Sequence, residues 1–388
     1  MARLGDVCIQ ITDGSHNPPM GIEKSNHLML SSKNIDDDRI TFNDPRYLSQ
    51  QDFEAENKRT NIEPGDLLMT IVGTIGRVAI VPDNLTGICV QRSVAVLKPK
   101  PETVYNRFLM YYLQNMCPYL EQESRGVAQK GIYLKQLNNL TVILPPLDEQ
   151  RKIAAVLDKV SDLIAKRRQQ LNKLDELVKS RFIEMFGDPK DNSNGWPVLP
   201  LGKLFTVSSS KRIYQSEQTS SGIPFLRISD LVQRMDERTV TAELYISEQH
   251  YAALKKEGLV PVAGDILVTS RGTLGRCYEI KEDDRFYFQD GMISWLFDKK
   301  PMVTNTYIMQ LFQMPGFRKQ IDDIPAGSTV NYLSLARLKE LRVMCPTIEL
   351  QEQFIAFVEQ VDKSKLAVQQ GLQELEILKK SLMQEYFE

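Results

Sequence analysis

The chain contains an internal repeat, which constrains its fold more than any other feature of the sequence. The stretch PPLDEQRKIAAVLDKV at 145–160 returns as PTIELQEQFIAFVEQV at 346–361. Likewise, GDLLMTIVGTIGR at 65–77 returns as GDILVTSRGTLGR at 264–276. Shorter matches extend the alignment on both sides, and the offset between the copies drifts only from 196 to 201 positions. This many matches in the same order indicate two copies of one structural unit.

Each copy is predicted to consist of a strand-rich head followed by one long helix. The heads, at 1–145 and 197–345, contain short apolar runs separated by Gly, Pro, Asp and Asn, a pattern typical of strands joined by turns. Some helix is predicted near 106–115 and 305–314. The repeated GTIGR and GTLGR stretches do not match a phosphate-binding loop, so they are predicted to be turns that need glycine at positive φ.

The long helices are predicted at 146–187 and 346–388, with a linker at 188–196. A proline precedes each helix, acidic residues occupy its first turn, and no Gly or Pro interrupts 147–186. Apolar residues then recur in steps of three and four, which predicts a coiled-coil seam. The seam comprises Ile153, Leu157, Val160, Ile164, Leu171, Leu174 and Val178 in the first helix, and Phe354, Val358, Val361, Val368, Leu372 and Leu375 in the second.

The expected fold class is α+β, with two tandem mixed α/β domains separated by the two long helices. These helices are expected to pair as an antiparallel coiled coil with internal pseudo-twofold symmetry. The apolar series is interrupted by the polar residues Arg167, Lys365 and Lys379. Of these, Arg167 opposite Val368 and Lys365 opposite Ile164 are expected to fix the register at some cost in stability. The alternative is that each helix packs on its own head.

Composition excludes several classes of protein and leaves nucleic-acid binding open. The 388 residues are 42% hydrophobic and 25% charged, as in an ordinary soluble protein, and the longest apolar runs are too short to cross a bilayer. The start of the chain does not resemble a secretory signal, and the five scattered cysteines fit reduced thiols of a cytoplasmic protein. A net charge of −2 neither indicates nor excludes a DNA-binding groove. Two heads held at a fixed separation suit duplex DNA that is read in two half-sites.

The residues also resemble a known family. The order head–helix–head–helix, the GDIL-type stretch with its GTxGR turn, and the proline-plus-EQ helix start resemble the specificity subunit of type I restriction-modification enzymes. In addition, ITDGSHNPP at 11–19 resembles the opening loop of that family's first target-recognition domain. The resemblance covers essentially the whole chain. It implies two target-recognition domains, each reading one half of a split, asymmetric DNA sequence, with the helices setting the spacer between the halves.

The same resemblance implies partners and the places of their cofactors. Two methylase subunits are expected to dock on this non-catalytic chain, and restriction/translocase subunits are expected to join in the full complex. S-adenosylmethionine would then bind to the methylase subunits, and ATP and Mg to the restriction subunits. The basic stretches at 166–170 and 179–181 are read either as solvated helix faces or as methylase docking sites. The second head departs from the family pattern, since SSSKRIYQSE at 208–217 replaces the GSHNPP loop.

Two other functions stay open at this stage. HNPPM at 16–20 resembles the NPP-aromatic motif by which amino-methyltransferases hold a flipped base, but Met20 replaces the aromatic residue. The chain also lacks a strand followed by a Gly-rich loop and helix that would bind S-adenosylmethionine, so a stand-alone methyltransferase or nuclease is disfavoured. The second alternative is a scaffold whose heads bind proteins. No residue is predicted to be catalytic or to bind a metal.

Contacts to DNA are predicted from polar and basic residues on the loops of the heads. Arg and Lys pair with guanine, and Asn and Gln with adenine, in the major groove. A structural polar role is the alternative for each of them. The candidates in the first head are Thr12, Asp13, Gly14, Ser15, His16, Asn17, Ser31, Ser32, Lys33, Asn34, Arg77, Gln91, Arg92, Ser93 and Lys130. Those in the second head are Ser208, Lys211, Arg212, Arg227, Ser229, Arg271, Thr273, Arg276 and Asn331.

Overall fold

A computed structural model describes residues 1–124, 131–237, 242–323 and 332–387. The chain forms two compact units, and each unit contains one head together with segments of both long helices. Unit 1 comprises residues 1–169 and 369–388, and unit 2 comprises residues 170–368.

The first head mixes short strands and helices, and the first long helix follows it. In chain order, its elements are β1 (Ala2–Arg3), α1 (Leu4–Val7), β2 (Cys8–Asp13), β3 (His27–Leu30), β4 (Ile35–Asp36), β5 (Arg39–Ile40), β6 (Arg46–Leu48), α2 (Gln50–Asn57), β7 (Leu67–Thr70), β8 (Val78–Ile80), β9 (Ile88–Val90), β10 (Val94–Pro99), α3 (Asn106–Asn115), α4 (Cys117–Glu123), α5 (Leu134–Asn139) and β11 (Thr141–Val142). The first long helix is α6 (Leu147–Phe186).

The second head repeats this plan and leads into the second long helix. Its elements are β12 (Val198–Pro200), α7 (Leu201–Leu204), β13 (Thr206–Ser209), β14 (Gln218–Thr219), β15 (Ile223–Leu226), α8 (Ile228–Glu237), β16 (Tyr245–Ile246), α9 (Glu248–Lys256), β17 (Ile266–Thr269), β18 (Cys277–Glu279), β19 (Tyr287–Phe288), β20 (Ile293–Phe297), α10 (Asn305–Leu311), α11 (Pro315–Asp322), α12 (Leu335–Glu340) and β21 (Arg342–Met344). The second long helix is α13 (Ile348–Phe387).

The sheets confirm that the repeat in the sequence is a repeat in the fold. A four-stranded sheet has the order β2-β10-β7-β8 in the first head and β13-β20-β17-β18 in the second. A second sheet, β6-β3-β9 or β14-β16-β15-β19, contains one parallel pair in each head, namely β3 with β9 and β15 with β19. The heads differ in the element that follows the first strand of the parallel pair. β3 leads into the β4–β5 hairpin, whereas β15 leads into α8.

The four-stranded sheet of the first head is buried on both faces. Leu67 and Met69 of β7 pack into one hydrophobic cluster, whereas Leu68 between them packs into another. This alternation explains why the strand reads as a continuous apolar run, as strands covered on both sides do.

The long helices pair in antiparallel orientation, as the apolar spacing predicts. In unit 1, Arg168 of α6 forms an ion pair of 2.8 Å with Glu376 of α13. In unit 2, Lys365 of α13 forms an ion pair of 2.7 Å with Asp175 of α6. In unit 2, Asp175 of α6 pairs with Lys365 of α13, and further along α6 Phe182 contacts Phe354. The residue number therefore increases along α6 as that of its partner on α13 decreases.

The alternative, that the helices pack on the heads, is also realised. In unit 1, Leu157 of α6 and Phe387 of α13 belong to the core of the first head. In unit 2, Phe182 stacks on Tyr307 of the second head, with ring centroids 5.4 Å apart, and contacts Phe354 edge-on at 5.6 Å. Each helix end is therefore anchored in a globular core.

The strand-and-turn pattern of the heads misses several helices, among them α2 and α9. Both begin at a serine whose side chain accepts a hydrogen bond from a backbone N–H three residues later. Ser49 accepts from Asp52 N, and Ser247 accepts from His250 N. These are N-cap signals that identify helix starts in a sequence.

Candidate nucleic-acid interface

In the first head, the loop that follows β2 meets the segment that follows β9. Ser15 N donates to Val90 O at 2.9 Å, and Arg92 N donates to Ser15 O at 2.9 Å. Gly14 permits this approach, since a Cβ atom built on it would lie 1.9 Å from Val90 O. A side chain at this position would force the two segments apart.

A third predicted segment joins the same place. Gln91 N donates to Leu30 O at 2.9 Å, and Ser32 N donates to Ser93 Oγ at 3.1 Å. Residues 14–17, 31–34 and 91–93, predicted separately from the sequence, thus form one surface, which we name loop cluster 1.

The residues of loop cluster 1 divide into exposed and buried groups. His16, Asn17, Lys33 and Arg92 are exposed. Asn34 is buried completely, and its side chain accepts from Ser31 N and donates to Asn43 O. We therefore assign a positioning role to Asn34 within the loop.

The start of loop cluster 1 is fixed by a charged network. Asp13 accepts hydrogen bonds from His16 Nε2 at 2.8 Å and from Arg59 at 2.5 Å. Arg59 Nε also donates to Thr12 Oγ1 at 3.1 Å. Thr12 and Asp13 are buried, so they hold the loop while His16 remains accessible. The network borders a cavity of about 530 Å³ that is lined by Asp13, Gly14, Ser15, His16, Asn17, Ala55, Glu56 and Arg59.

The NPP stretch beside this cavity is braced by Arg46 of β6. Its guanidinium donates to Pro19 O at 2.6 Å and to Pro18 O at 3.3 Å. The next side chain, Met20, is 90% exposed. The loop therefore has a fixed backbone and an apolar tip.

The second head brings its own predicted segments together in the same way. Gln289 N donates to Leu226 O at 3.0 Å, and Gly291 N donates to Ser209 Oγ at 3.2 Å. We name residues 208–212, 227–230 and 289–291 loop cluster 2. Gln289 was not among the predicted residues. The repeat nevertheless indicates it, because Gln289 corresponds to Gln91 at an offset within the range found between the two copies.

Most basic candidates of the second head are neutralised by acidic neighbours. Lys211 pairs with Glu257 (3.2 Å), Arg212 with Asp290 (2.9 Å), Arg227 with Asp230 and Glu243 (3.3 and 2.7 Å), and Arg276 with Asp236 (2.6 Å). The hydrogen bond from Arg276 lowers the pKa of Asp236. Arg271 is exposed and lies over the ring of Tyr332, 5.4 Å from its centroid.

Two predicted arginines of the first head have no acidic partner among the described residues. Within the ranges that the structure describes, neither Arg77 nor Arg92 forms an ion pair or a side-chain hydrogen bond, whereas Lys33 pairs with Asp44 at 2.7 Å. The two heads therefore present different charge patterns on a shared frame.

The GTxGR stretches are turns, as predicted. Gly73 and Gly76 have φ of +83° and +89°, and Gly272 and Gly275 have φ of +64° and +72°. The threonine three residues before each stretch, Thr70 or Thr269, accepts a hydrogen bond from the N–H of the arginine, at 3.0 Å in the first head and 2.9 Å in the second.

The other predicted residues occupy local positions. Ser208 Oγ donates to Ser209 O, and Ser229 Oγ donates to Asp230. Thr273 is exposed, and its carbonyl accepts from Thr269 Oγ1. Lys130 and Asn331 lie outside the described residues.

In the described part of the chain, no group of three or more His, Cys, Asp or Glu residues is arranged to hold a metal ion. No helix in these same ranges has the length and apolarity required to span a membrane.

Comparisons with known proteins converge on one family. The type I restriction modification DNA specificity domain matches residues 23–176 and again 193–377. A putative type I restriction enzyme specificity subunit of Haemophilus influenzae is 27% identical over 278 residues, which cover 70% of this chain and 68% of the relative. The EcoBI specificity subunit of Escherichia coli is 31% identical over 158 residues, or 39% of this chain and 33% of the relative.

Solved structures show the same fold. A chain from a study of complex assembly and conformational transition of the type I R-M system aligns with a TM-score of 0.54 at 18% identity, covering 100% of this chain and 96% of that one. The type I restriction-modification S subunit of M. genitalium aligns with a TM-score of 0.50 at 15% identity, covering 100% and 95%.

Proposed function

The chain belongs to the type I restriction-modification DNA specificity family, and from this premise we propose that each of its heads reads one half of a split DNA target. The specificity domain occurs twice, which is consistent with a bipartite target. Family members of this kind supply sequence specificity, whereas catalysis belongs to other subunits.

The observation that carries this proposal is the presence of two loop clusters built on one backbone frame with different exposed chemistry. Loop cluster 1 exposes His16, Asn17 and Arg92, whereas loop cluster 2 carries Asp290 at the position that corresponds to Arg92. Different side chains on the same frame favour different bases, so the target is expected to be asymmetric.

Two arginines of the first head are suited to contacts with the phosphate backbone. Arg77 and Arg92 of the first head are not neutralised by described neighbours, so they are available for contacts with phosphate. Such contacts supply affinity without sequence information, and reading of the bases is left to the polar side chains of the loops.

The long helices are the proposed docking surface for two methylase subunits. On α6, four apolar residues are exposed, and three of them, Val156, Leu163 and Leu177, lie at positions related by multiples of seven; the fourth is Ile183. On α13, Leu366 and Ile377 are also exposed. Apolar residues at heptad spacing outside the existing seam are suited to packing against further helices.

The cofactors and the location follow from these proposed partners. We expect S-adenosylmethionine to bind to the methylase subunits, and ATP and Mg to bind to restriction/translocase subunits where these join. Because the proposed target is duplex DNA inside the cell, we place the chain in the cytoplasm.

The test is to map DNA methylation by the chain together with type I methylase subunits. We expect the chain and methylase together to methylate one split motif, and either component alone to methylate none. The matched control is the methylase with a chain that lacks the second head. Methylation by the chain alone, or a motif that does not depend on the chain, would show that the proposal is wrong.

A further inference from the structure

Gln91 and Gln289 are the same residue at the same backbone position of the two heads. Each directly follows a strand that pairs in parallel, β9 with β3 and β19 with β15. Each N–H donates to the carbonyl of the last residue of the neighbouring strand, Leu30 at 2.9 Å or Leu226 at 3.0 Å. The two glutamines therefore lie at equivalent places in loop clusters 1 and 2.

The surroundings of these glutamines differ between the heads. Arg92 follows Gln91, whereas Asp290 follows Gln289 and pairs with Arg212. The shared backbone hydrogen bond does not require glutamine, because every residue except proline has the N–H. The local structure therefore does not explain why both heads have this residue.

Among the described residues, no structural partner of the two glutamine side chains accounts for their identity. Both are only partly exposed, yet in the described part of the chain neither carboxamide makes a hydrogen bond. Gln150 and Gln351 form an instructive comparison, since they are also equivalent in the repeat. Their carboxamides are buried and saturated by backbone partners, so their identity is structural.

We propose that Gln91 and Gln289 each read one adenine, at equivalent positions of the two half-sites. A carboxamide presents a donor and an acceptor in one plane, which matches N7 and the N6 amino group of adenine in the major groove. The inference rests on the proposed function and adds a prediction about the target itself. Each half-site contains an adenine, and the two adenines are related by the internal repeat of the chain.

The first experiment replaces each glutamine in the chain while it is complexed with its methylase subunits. Gln91→Ala is expected to reduce the preference for adenine by roughly ten- to a hundredfold at one position of one half-site. Gln289→Ala is expected to do the same at one position of the other half-site. Binding to a library of randomised target sequences measures both effects.

A second variant tests the hydrogen-bonding pattern. Gln91→Glu keeps the shape and the acceptor but removes the donor that faces adenine N7. A glutamate accepts from the N4 amino group of cytosine, so the preference at that position is expected to move from adenine towards cytosine. The matched control is Gln50→Ala, which removes an exposed glutamine on α2 that bonds only to Glu54 among the described residues. This control is expected to leave the motif unchanged.

The outcomes separate this inference from the proposed function. If the wild-type complex recognises no split motif, the proposed function itself fails. If it recognises a split motif that lacks adenine in either half, only the glutamine inference fails. The inference also fails if Gln91→Ala weakens binding to all sequences equally, because that is the effect of losing a phosphate contact. Thermal unfolding of each variant is expected to match the wild type, since neither carboxamide makes a hydrogen bond to the described residues.

Discussion

Asp66 and Asp265 occupy equivalent buried positions in the two heads and have different partners. Asp66 accepts from Lys98 Nζ at 2.6 Å, whereas Asp265 accepts from Trp295 Nε1 at 2.9 Å. Each also accepts from a backbone N–H three residues earlier in the chain, which closes the turn before the buried strand. Burial raises the pKa of both carboxyl groups above the ordinary value, against the opposing effect of these hydrogen bonds.

The raised pKa of Asp265 predicts a pH-dependent contribution to the stability of unit 2. The folded state binds the proton more tightly than the unfolded state does. The contribution is therefore complete below the ordinary carboxyl pKa of about 4 and is lost as the pH rises through the raised folded value. Asp265→Asn retains an acceptor for Val262 N and Trp295 but cannot ionise. We expect denaturant unfolding of this variant to lose the pH-dependent step.

Asp66→Asn is the matched comparison in the first head. Lys98 is only 12% exposed, and this substitution leaves its ammonium without the carboxylate that lies closest to it. We expect Asp66→Asn to destabilise the protein at neutral pH, because removing one partner of a buried pair leaves the other charge uncompensated. If Asp66→Asn and Asp265→Asn changed the stability equally, the different partners of the two carboxyl groups would not explain their contributions.

At the scale of the helix, Gln150 and Gln351 show why each long helix starts where it does. Gln351 accepts from Thr304 N at 2.8 Å and donates to the carbonyls of Met302 and Pro346. Gln150 makes the same set of bonds to Tyr105, Thr103 and Pro145. The EQ signature of the sequence therefore fastens the first turn of each helix to its own head.

Gln351→Ala is predicted to destabilise unit 2 by about 1–3 kcal/mol, because it leaves buried backbone groups without partners. The control is Gln353→Ala, two residues along the same helix, where the side chain is exposed. Denaturant unfolding of both variants measures the difference. Equal stability of the two variants would mean that the buried bonds of Gln351 do not hold the helix start.

The sequence predicts a feature best when the residues that produce it lie close together in the chain. The bounds of α6, Leu147–Phe186, follow from a proline before the helix and a Gly-Asp-Pro after it, all of which are local signals. Arg59 was missed because its pairing with Asp13 spans 46 positions and exists only once the head has folded. Conversely, Asn34 is of a residue type that reads adenine, but the fold buries its side chain.

At the scale of the whole molecule, the bounds of unit 2 determine which residues should be exchanged to replace one head. Unit 2 begins at residue 170 and ends at 368, beyond both ends of the predicted head at 197–345. Its core includes Phe182 of α6 and Phe354 of α13, which contact each other at 5.6 Å, while Phe182 also stacks on Tyr307. An exchange limited to the head therefore packs Phe182 and Phe354 of the parent chain against the core of a different protein.

We predict that exchanging residues 170–368 for the equivalent unit of a relative alters only one half of the DNA target and retains the stability of the parent. Exchanging 197–345 alone should alter the same half-site but cost about 1–3 kcal/mol, because the shapes of Phe182 and Phe354 no longer match the core that they enter. Both chimaeras must keep the parental helix lengths, since a change of register displaces the apolar seam. Methylation mapping measures the specificity and denaturant unfolding measures the stability. A change in both half-sites would contradict independent reading by the heads, and a less stable 170–368 chimaera would contradict the assignment of the helix segments to unit 2.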